Sequence, residues 1–302
     1  MKPIPIILFA YARPDHLHRV LDCLRENQVP LIYAFSDGPR TPDKTLAVAQ
    51  VRNMLRAIDW CEVILCEIEG NLGLGRSILT GVTEVLAKHD SAIVFEDDLI
   101  CVPGAYAYLC AALEQYKDDP RVMSVAGWTH PLVTPSDLTD KPYFDGLPES
   151  WVWGTWARAW HGMEIDAANL MEQCKNQGID IYRYGSALVN MAKAELRKNI
   201  WAVRFCYWHI LNHGLCLRPP WSMVEHIGWD SQGTNAIEAG IWAAPPLKPC
   251  PPVPAQWPEP VEHPECSRLW QKVFGARPTV PRRLNKVARR MASKILRAVS
   301  LK

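Results

Sequence analysis

The sequence predicts an α/β protein with a mostly parallel central sheet, followed by a proline-rich strap and a C-terminal amphipathic helix. Three observations predict it. Short apolar runs alternate with helical patterns over residues 4–95, the signature of right-handed β-α-β units. The 302 residues are 48% hydrophobic and 22% charged, which suits a chain with a sizeable core and excludes disordered, collagen-like and coiled-coil classes. No apolar stretch approaches the roughly eighteen residues of a membrane-spanning helix.

Taken in order, Ile4–Ala10 reads as a buried strand, and Pro14 opens a helix with Leu17, Val20, Leu21 and Leu24 on one face. Leu31–Phe35 is the second strand, closed by the turn residues Ser36-Asp37-Gly38-Pro39. A helix over 44–58, a strand over 62–68, a helix over 75–89 and a strand over 92–95 follow. In such sheets ligands bind at the carboxyl ends of the strands. Past residue 100 the character changes: twelve of thirteen tryptophans lie there, four of them within Trp151–Trp160, and an α+β half is expected. From Pro245 to Pro264 nine of twenty residues are proline, which excludes regular helix. The expected parts are 1–105, an α/β half; 106–240, an α+β half; 241–280, a proline-rich extended segment; and 281–302, a basic amphipathic helix.

The formal charge of +1 conceals a division. Residues 281–302 carry eight basic side chains and no acid, leaving 25 basic against 32 acidic residues elsewhere. With Leu284, Val287, Ala288, Met291, Ile295 and Val299 at helical spacing, this tail fits the surface of an anionic membrane, the rival reading being a solvated terminus. Nucleic acid is not expected, because the tail lacks interleaved aromatics and the rest is acidic. Ten cysteines at irregular spacing, without Cys-x-x-Cys, read as reduced thiols of a cytoplasmic protein, and Ile4–Ala12 is too short for a signal peptide.

Two motifs carry chemistry. In Ala92-Ile93-Val94-Phe95-Glu96-Asp97-Asp98-Leu99 an apolar strand delivers three carboxylates to one strand end. Such crowded charges call for a cation, and Mg²⁺ or Mn²⁺ bound by one or two carboxylates and by substrate phosphates suits them. A solvated acidic turn is the alternative. Asn71-Leu72-Gly73-Leu74-Gly75-Arg76 lies between a strand and a helix, where glycines permit close backbone approach and Arg76 adds positive charge. It matches neither the dinucleotide nor the P-loop pattern, and plain turn glycines are its alternative.

In their order along residues 4–235, these segments resemble glycosyltransferases of the GT-A fold, particularly N-acetylglucosaminyltransferase I and bacterial family 2-like sugar transferases of surface-polysaccharide synthesis. The segments are Phe9-Ala10-Tyr11-Ala12-Arg13, Ser36-Asp37-Gly38, Val94 to Leu99 with Val102-Pro103, Met123 to Trp128, Trp153-Gly154-Thr155-Trp156-Ala157-Arg158-Ala159-Trp160, Gly214 to Pro219 and His226 to Asn235. The resemblance implies a hexosyl- or N-acetylhexosaminyltransferase that moves a sugar from a nucleotide-diphosphate donor to a saccharide or lipid-linked acceptor in cell-surface polysaccharide or lipopolysaccharide synthesis. It implies Asp98 as the ligand of Mn²⁺ or Mg²⁺, with His226 joining it. Ala10, Arg13, Asp37, Gly73, Gly75, Arg76, Glu96 and Asp97 would face the donor, and Trp128, Trp153 and Trp156 the acceptor. For the tryptophans, core packing is the competing reading.

An inverting transfer needs a base near the acceptor hydroxyl. Family 2 enzymes often carry an acidic pair where this chain has Ala202 and Val203, so Glu149, Asp166, Glu195 and His209 stand as candidate bases, and a retaining mechanism that needs none stays open. The expected location is cytoplasmic, at the inner face of the membrane. Two rival functions are a sugar nucleotidyltransferase, disfavoured by the missing glycine-rich lysine loop, and a non-catalytic carbohydrate-binding or scaffold protein of an envelope complex.

Overall fold

A computed structural model describes residues 3–138, 140–198, 200–229, 240–243 and 245–277. The chain begins as β1 (Ile6–Ala10), α1 (Pro14–Glu26), β2 (Leu31–Ser36), α2 (Thr45–Arg56), β3 (Glu62–Glu67), α3 (Leu74–Leu86) and β4 (Ser91–Glu96). These four strands lie side by side as β3-β2-β1-β4, every neighbouring pair parallel. β1 is apolar throughout because both of its faces are covered. Ile6, Leu8 and Ala10 join Leu17, Val20 and Leu24 of α1, while Ile7 and Phe9 turn to the other side and meet Ile78, Val82 and Val85 of α3. Gly81 allows α3 to sit this close, since a Cβ there would lie 2.9 Å from ring carbons of Phe9.

The chain continues as β5 (Leu99–Cys101), α4 (Ala105–Gln115), β6 (Val122–Ala126), β7 (Tyr143–Asp145), β8 (Trp153–Trp156), α5 (Ala157–Trp160), α6 (Ala167–Asn176), α7 (Ser186–Ala192), α8 (Glu195–Lys198), α9 (Trp201–Leu211), β9 (Leu215–Arg218), β10 (Val224–His226) and α10 (Cys266–Phe274). Beyond β4 the sheet runs β8-β6-β9-β7, giving eight strands of which only β8 and β7 run against the rest. The α/β class with a mostly parallel central sheet is therefore as the sequence predicts. Strands from both sides of residue 105 share this one sheet. β5 and β10 form a separate antiparallel pair that sets His226 opposite Leu99 and so brings a distant segment beside Asp98.

The segment Trp153–Trp160 differs from its expected role. Trp153 and Trp156 belong to β8, wedged between β4 and β6, and are 1% and 3% exposed. Trp153 packs among Trp160, Trp201 and Phe205, and the Trp156 indole donates to the Leu113 carbonyl. Neither presents a ring face to a sugar, because burying so large an apolar area is what holds β8 in place.

From 245 to 263 the proline-rich stretch forms no helix and is fastened to the body, whereas the wider segment 241–280, expected to be extended, includes α10 (Cys266–Phe274). Tyr116 donates to the Pro258 carbonyl at 2.6 Å, Trp257 packs on Tyr108, and His263 N–H bonds the Phe144 carbonyl. The predicted helix over 281–302 lies outside the described residues. No helix among the described residues is long and apolar enough to cross a membrane. The ten cysteines form no disulfide.

Candidate functional site

Three chain segments converge at the carboxyl end of β4. Residues 96–98 follow the strand; Arg13 and Tyr11 come from the loop between β1 and α1; and residues 226–228 arrive through β10. Asp97 and Asp98 are buried, 3% and 5% exposed. Arg13 spans them, Nη2 lying 3.0 Å from Asp97 Oδ1 and Nη1 2.8 Å from Asp98 Oδ2. Tyr11 N–H donates to Asp97 Oδ2 at 2.9 Å, and Ile227 N–H donates to the Asp98 carbonyl at 2.9 Å. Gly228 lets the chain pass close over both side chains: a Cβ there would fall 2.4 Å from Asp98 Oδ2 and 2.8 Å from Arg13 Nη1, so these side chains would have to move.

The carboxylates outnumber their cation. Burial, with the charges of Asp98 and Asp97 added, raises the Glu96 carboxyl well above its usual range. Burial likewise pushes Asp97 up to about 6, Arg13 opposing. Asp98 Oδ1 is buried and has no hydrogen-bond partner. A hard divalent cation fits this atom and this charge surplus, and Asp98 is the residue that would hold it. Among the described residues no group of three or more His, Cys, Asp or Glu forms a metal cage. Mg²⁺ and Mn²⁺ need none where substrate phosphates supply ligands.

His226 is placed differently from a ligand. Its Nε2 lies 3.6 Å from Asp98 Oδ2, but Nδ1 accepts the Gly228 N–H at 3.2 Å, so the neutral ring carries its proton on Nε2 and presents N–H to the carboxylate. Burial lowers its pKa and favours that neutral form.

At the neighbouring strand ends, Ala10 is buried at the end of β1. Asp37 occupies the start of α3, accepting Gly73 N–H and Ser77 Oγ–H, each at 2.9 Å. A side-chain carboxylate thus takes the position at the helix N-terminus where the sequence suggested a phosphate. Gly73, at φ +78°, makes the turn into α3, and Gly75 is buried in its first turn. Arg76 is exposed there. Gly38 must be glycine, since a Cβ would sit 2.0 Å from the Glu69 carbonyl oxygen.

An aromatic wall adjoins the carboxylates. Trp151 lies 4.8 Å from His226 and 4.9 Å from Trp128 between ring centroids. Trp229 lies 4.4 Å from His226, and Trp242 lies 5.8 Å from Trp128. Trp151, Trp229 and Trp242 are half-buried, whereas Trp128 is 3% exposed with an unpartnered indole N–H. Of the three tryptophans assigned to an acceptor by the sequence, only Trp128 is at this wall.

Three of the four candidate bases serve the scaffold, which corrects their expected role. His209 is fully buried between Ser124 Oγ, at 2.9 Å from Nε2, and the Phe205 carbonyl, and burial pushes its pKa down to about 3. Glu195 pairs with Arg204 at 2.7 Å and accepts Ala167 N–H. Asp166 caps α6 by accepting Asn169 N–H. Glu149, two residues before Trp151, is held by Arg218 at 3.3 Å, and burial raises its pKa. Arg218, wholly buried, also pairs with Asp145 at 2.9 Å and donates to the Trp128 carbonyl, so it braces the wall from behind.

Sequence reasoning did not assign roles to Tyr11, Trp229, Trp242 or Gly228, and it offered Trp151 only as part of the Trp151–Trp160 cluster, a sugar-stacking platform or core. The usable signal was proximity in sequence: Gly228 and Trp229 come two and three residues after His226, and Trp151 opens the tryptophan cluster.

No protein family matches the sequence, and no curated protein does. Among solved structures, the chain is similar to the mannosyltransferase PcManGT from Pyrobaculum calidifontis, in complex with GDP-Man and Mn²⁺, at 12% identity and a TM-score of 0.36, over 59% of this chain and 47% of that one. It spans about half the length of that mannosyltransferase. It is similar to HddC from Yersinia pseudotuberculosis at 11% identity and a TM-score of 0.32, over 51% of this chain and 77% of that one. It is also similar to apo mouse xyloside xylosyltransferase 1, at 14% identity and a TM-score of 0.32, over 53% of this chain and 69% of that one.

Proposed function

We propose that this protein is a GT-A-type glycosyltransferase that moves a sugar from a nucleoside-diphosphate donor to a saccharide or lipid-linked acceptor, with Mg²⁺ or Mn²⁺ held by Asp98. The observation that carries the reading is the unpartnered, buried Asp98 Oδ1 among three carboxylates faced by one arginine. The cation would neutralise the charge that develops as the nucleoside diphosphate leaves. Arg13 fixes the direction of Asp98 and Asp97, and His226 supports the Asp98 carboxylate by its Nε2–H. We assign Glu96 and Asp97, at the same strand end, to the donor. Trp151 and Trp229 offer flat apolar faces suited to a pyranose ring, and Glu149, two residues before Trp151 in the chain, is the base we assign to an inverting transfer. The hexosyl or N-acetylhexosaminyl specificity and a role in cell-surface polysaccharide or lipopolysaccharide synthesis, at the cytoplasmic face of a membrane, belong to the same reading.

The test is a panel of nucleotide sugars screened for thermal stabilisation with Mn²⁺ and with chelator, followed by donor turnover. Asp98→Asn is expected to lose both metal-dependent stabilisation and turnover. Full activity in that variant, or activity unaffected by chelator, defeats the metal assignment. Pyrophosphate release from a nucleoside triphosphate would replace sugar transfer with nucleotidyl transfer.

A further inference from the structure

We infer that the face made by the ends of α6 and α7 and by α8 docks on an anionic membrane surface. Lys175 in the last turn of α6, Lys193 at the end of α7, and Arg277 line one open groove with Tyr182, Ile179 and Asp180; Arg277 pairs with Asp180 at 3.5 Å and Lys175 with Glu172, which leaves Lys193, among the described residues, as the uncompensated cation of the groove. The chain turns directly after Lys193, Arg197 and Lys198 N–H both reaching the Ala194 carbonyl, at 3.1 and 2.9 Å. That turn sets Leu196, Arg197 and Lys198 together on the surface, Leu196 being 75% exposed. Lys193, Arg197 and Lys198 form no ion pair among the described residues. The one acid between them, Glu195, is buried against Arg204 and offers them no compensation.

The described chain ends in the same groove, at Arg277. The 25 residues that follow hold eight cations and no acid. Patch and tail carry the same sign, so neither attracts the other, and both suit one anionic occupant. An exposed leucine amid cations favours a lipid surface, which offers negative headgroups and an apolar interior at once, over a soluble polyanion. The inference rests on the proposed transfer to a lipid-linked acceptor only for its purpose; the docking itself is measured without turnover.

The experiment is flotation of the full chain with vesicles of phosphatidylcholine alone and of phosphatidylcholine with phosphatidylglycerol. Wild type is expected on the anionic vesicles only. Each cation near the surface contributes about fivefold in affinity, so Lys193→Glu, Arg197→Glu and Lys198→Glu together should weaken binding at least roughly a hundredfold. Leu196→Ser should weaken it further, while turnover of a soluble acceptor is kept. A parallel variant with the eight cations of residues 281–302 replaced by glutamine separates the tail. If the triple variant floats like wild type, the patch inference fails, even where the tail variant loses binding. If Leu196→Ser has no effect and the triple variant loses binding to a DNA oligonucleotide as strongly as to vesicles, the partner is a soluble polyanion and the membrane inference fails. Absence of turnover with intact flotation leaves docking standing and removes the transfer reading instead.

Discussion

Arg13 Nη1 stands 2.8 Å from Asp98 Oδ2, and through that contact the start of α1 sets the direction of a carboxylate that the end of β4 supplies. Replacing Arg13 by methionine leaves three crowded carboxylates without their cation. Stability should fall by about 2 kcal/mol in urea unfolding, the scale of a lost charge-assisted hydrogen bond at a mostly buried site. Mn²⁺ should then raise the melting temperature of Arg13→Met by more than it raises that of wild type. Equal increments would show that arginine and metal do not share the same charges.

Gly228→Ala separates site from fold. The new Cβ would meet only side-chain atoms, at 2.4 Å from Asp98 Oδ2 and 2.8 Å from Arg13 Nη1. These can swing away, so the melting temperature should stay within a few degrees while donor turnover drops by at least tenfold. Retained turnover would mean that the Asp98 direction does not matter.

Two tryptophans only two residues apart should behave oppositely. Trp153→Ala empties a core position 1% exposed and should cost about 3–5 kcal/mol, read by denaturant unfolding. Trp151→Ala removes a half-buried ring from the wall and should raise the acceptor KM several-fold, with donor hydrolysis and stability little changed. A large stability loss in Trp151→Ala would return that ring to the scaffold.

His209 makes a pH prediction. Its folded pKa is pushed down to about 3 from the ordinary 6.5, so the unfolded chain takes up the proton first as pH falls. The stability tied to its neutral form is complete above pH 6.5 and drains away between there and about 3, by up to about 1.4 kcal/mol per pH unit. His209→Gln should flatten the stability profile in that window. An unchanged slope would assign the acid sensitivity to other groups.

The β-α-β order and the acidic strand end were legible because both are local: β1 announces itself by five successive apolar residues, and Glu96-Asp97-Asp98 by three successive acids. What was not legible depends on long-range pairing. The β5–β10 pairing that places His226 beside Asp98 joins segments more than a hundred residues apart, and neither strand is longer than three residues. The tryptophans misled for a related reason. Their size announces burial somewhere, but whether a ring faces a neighbouring strand or an open cleft is decided by the register of β8. His209 and Glu195 show the same ambiguity for titratable groups, since a partner such as Ser124 or Arg204 is visible only in the fold.

The position of β8 bears on how the protein is made. Until residues 153–156 have left the ribosome, β4 has a partner on one side only, and the outer edge of Ser91–Glu96 offers unpaired backbone groups along an apolar strand. The early β-α-β units therefore emerge with an adhesive border that a later, reversed strand must cover. Chains cut short before residue 153 should accumulate as aggregates, whereas the full-length chain, with this edge of β4 covered by β8, should stay in solution.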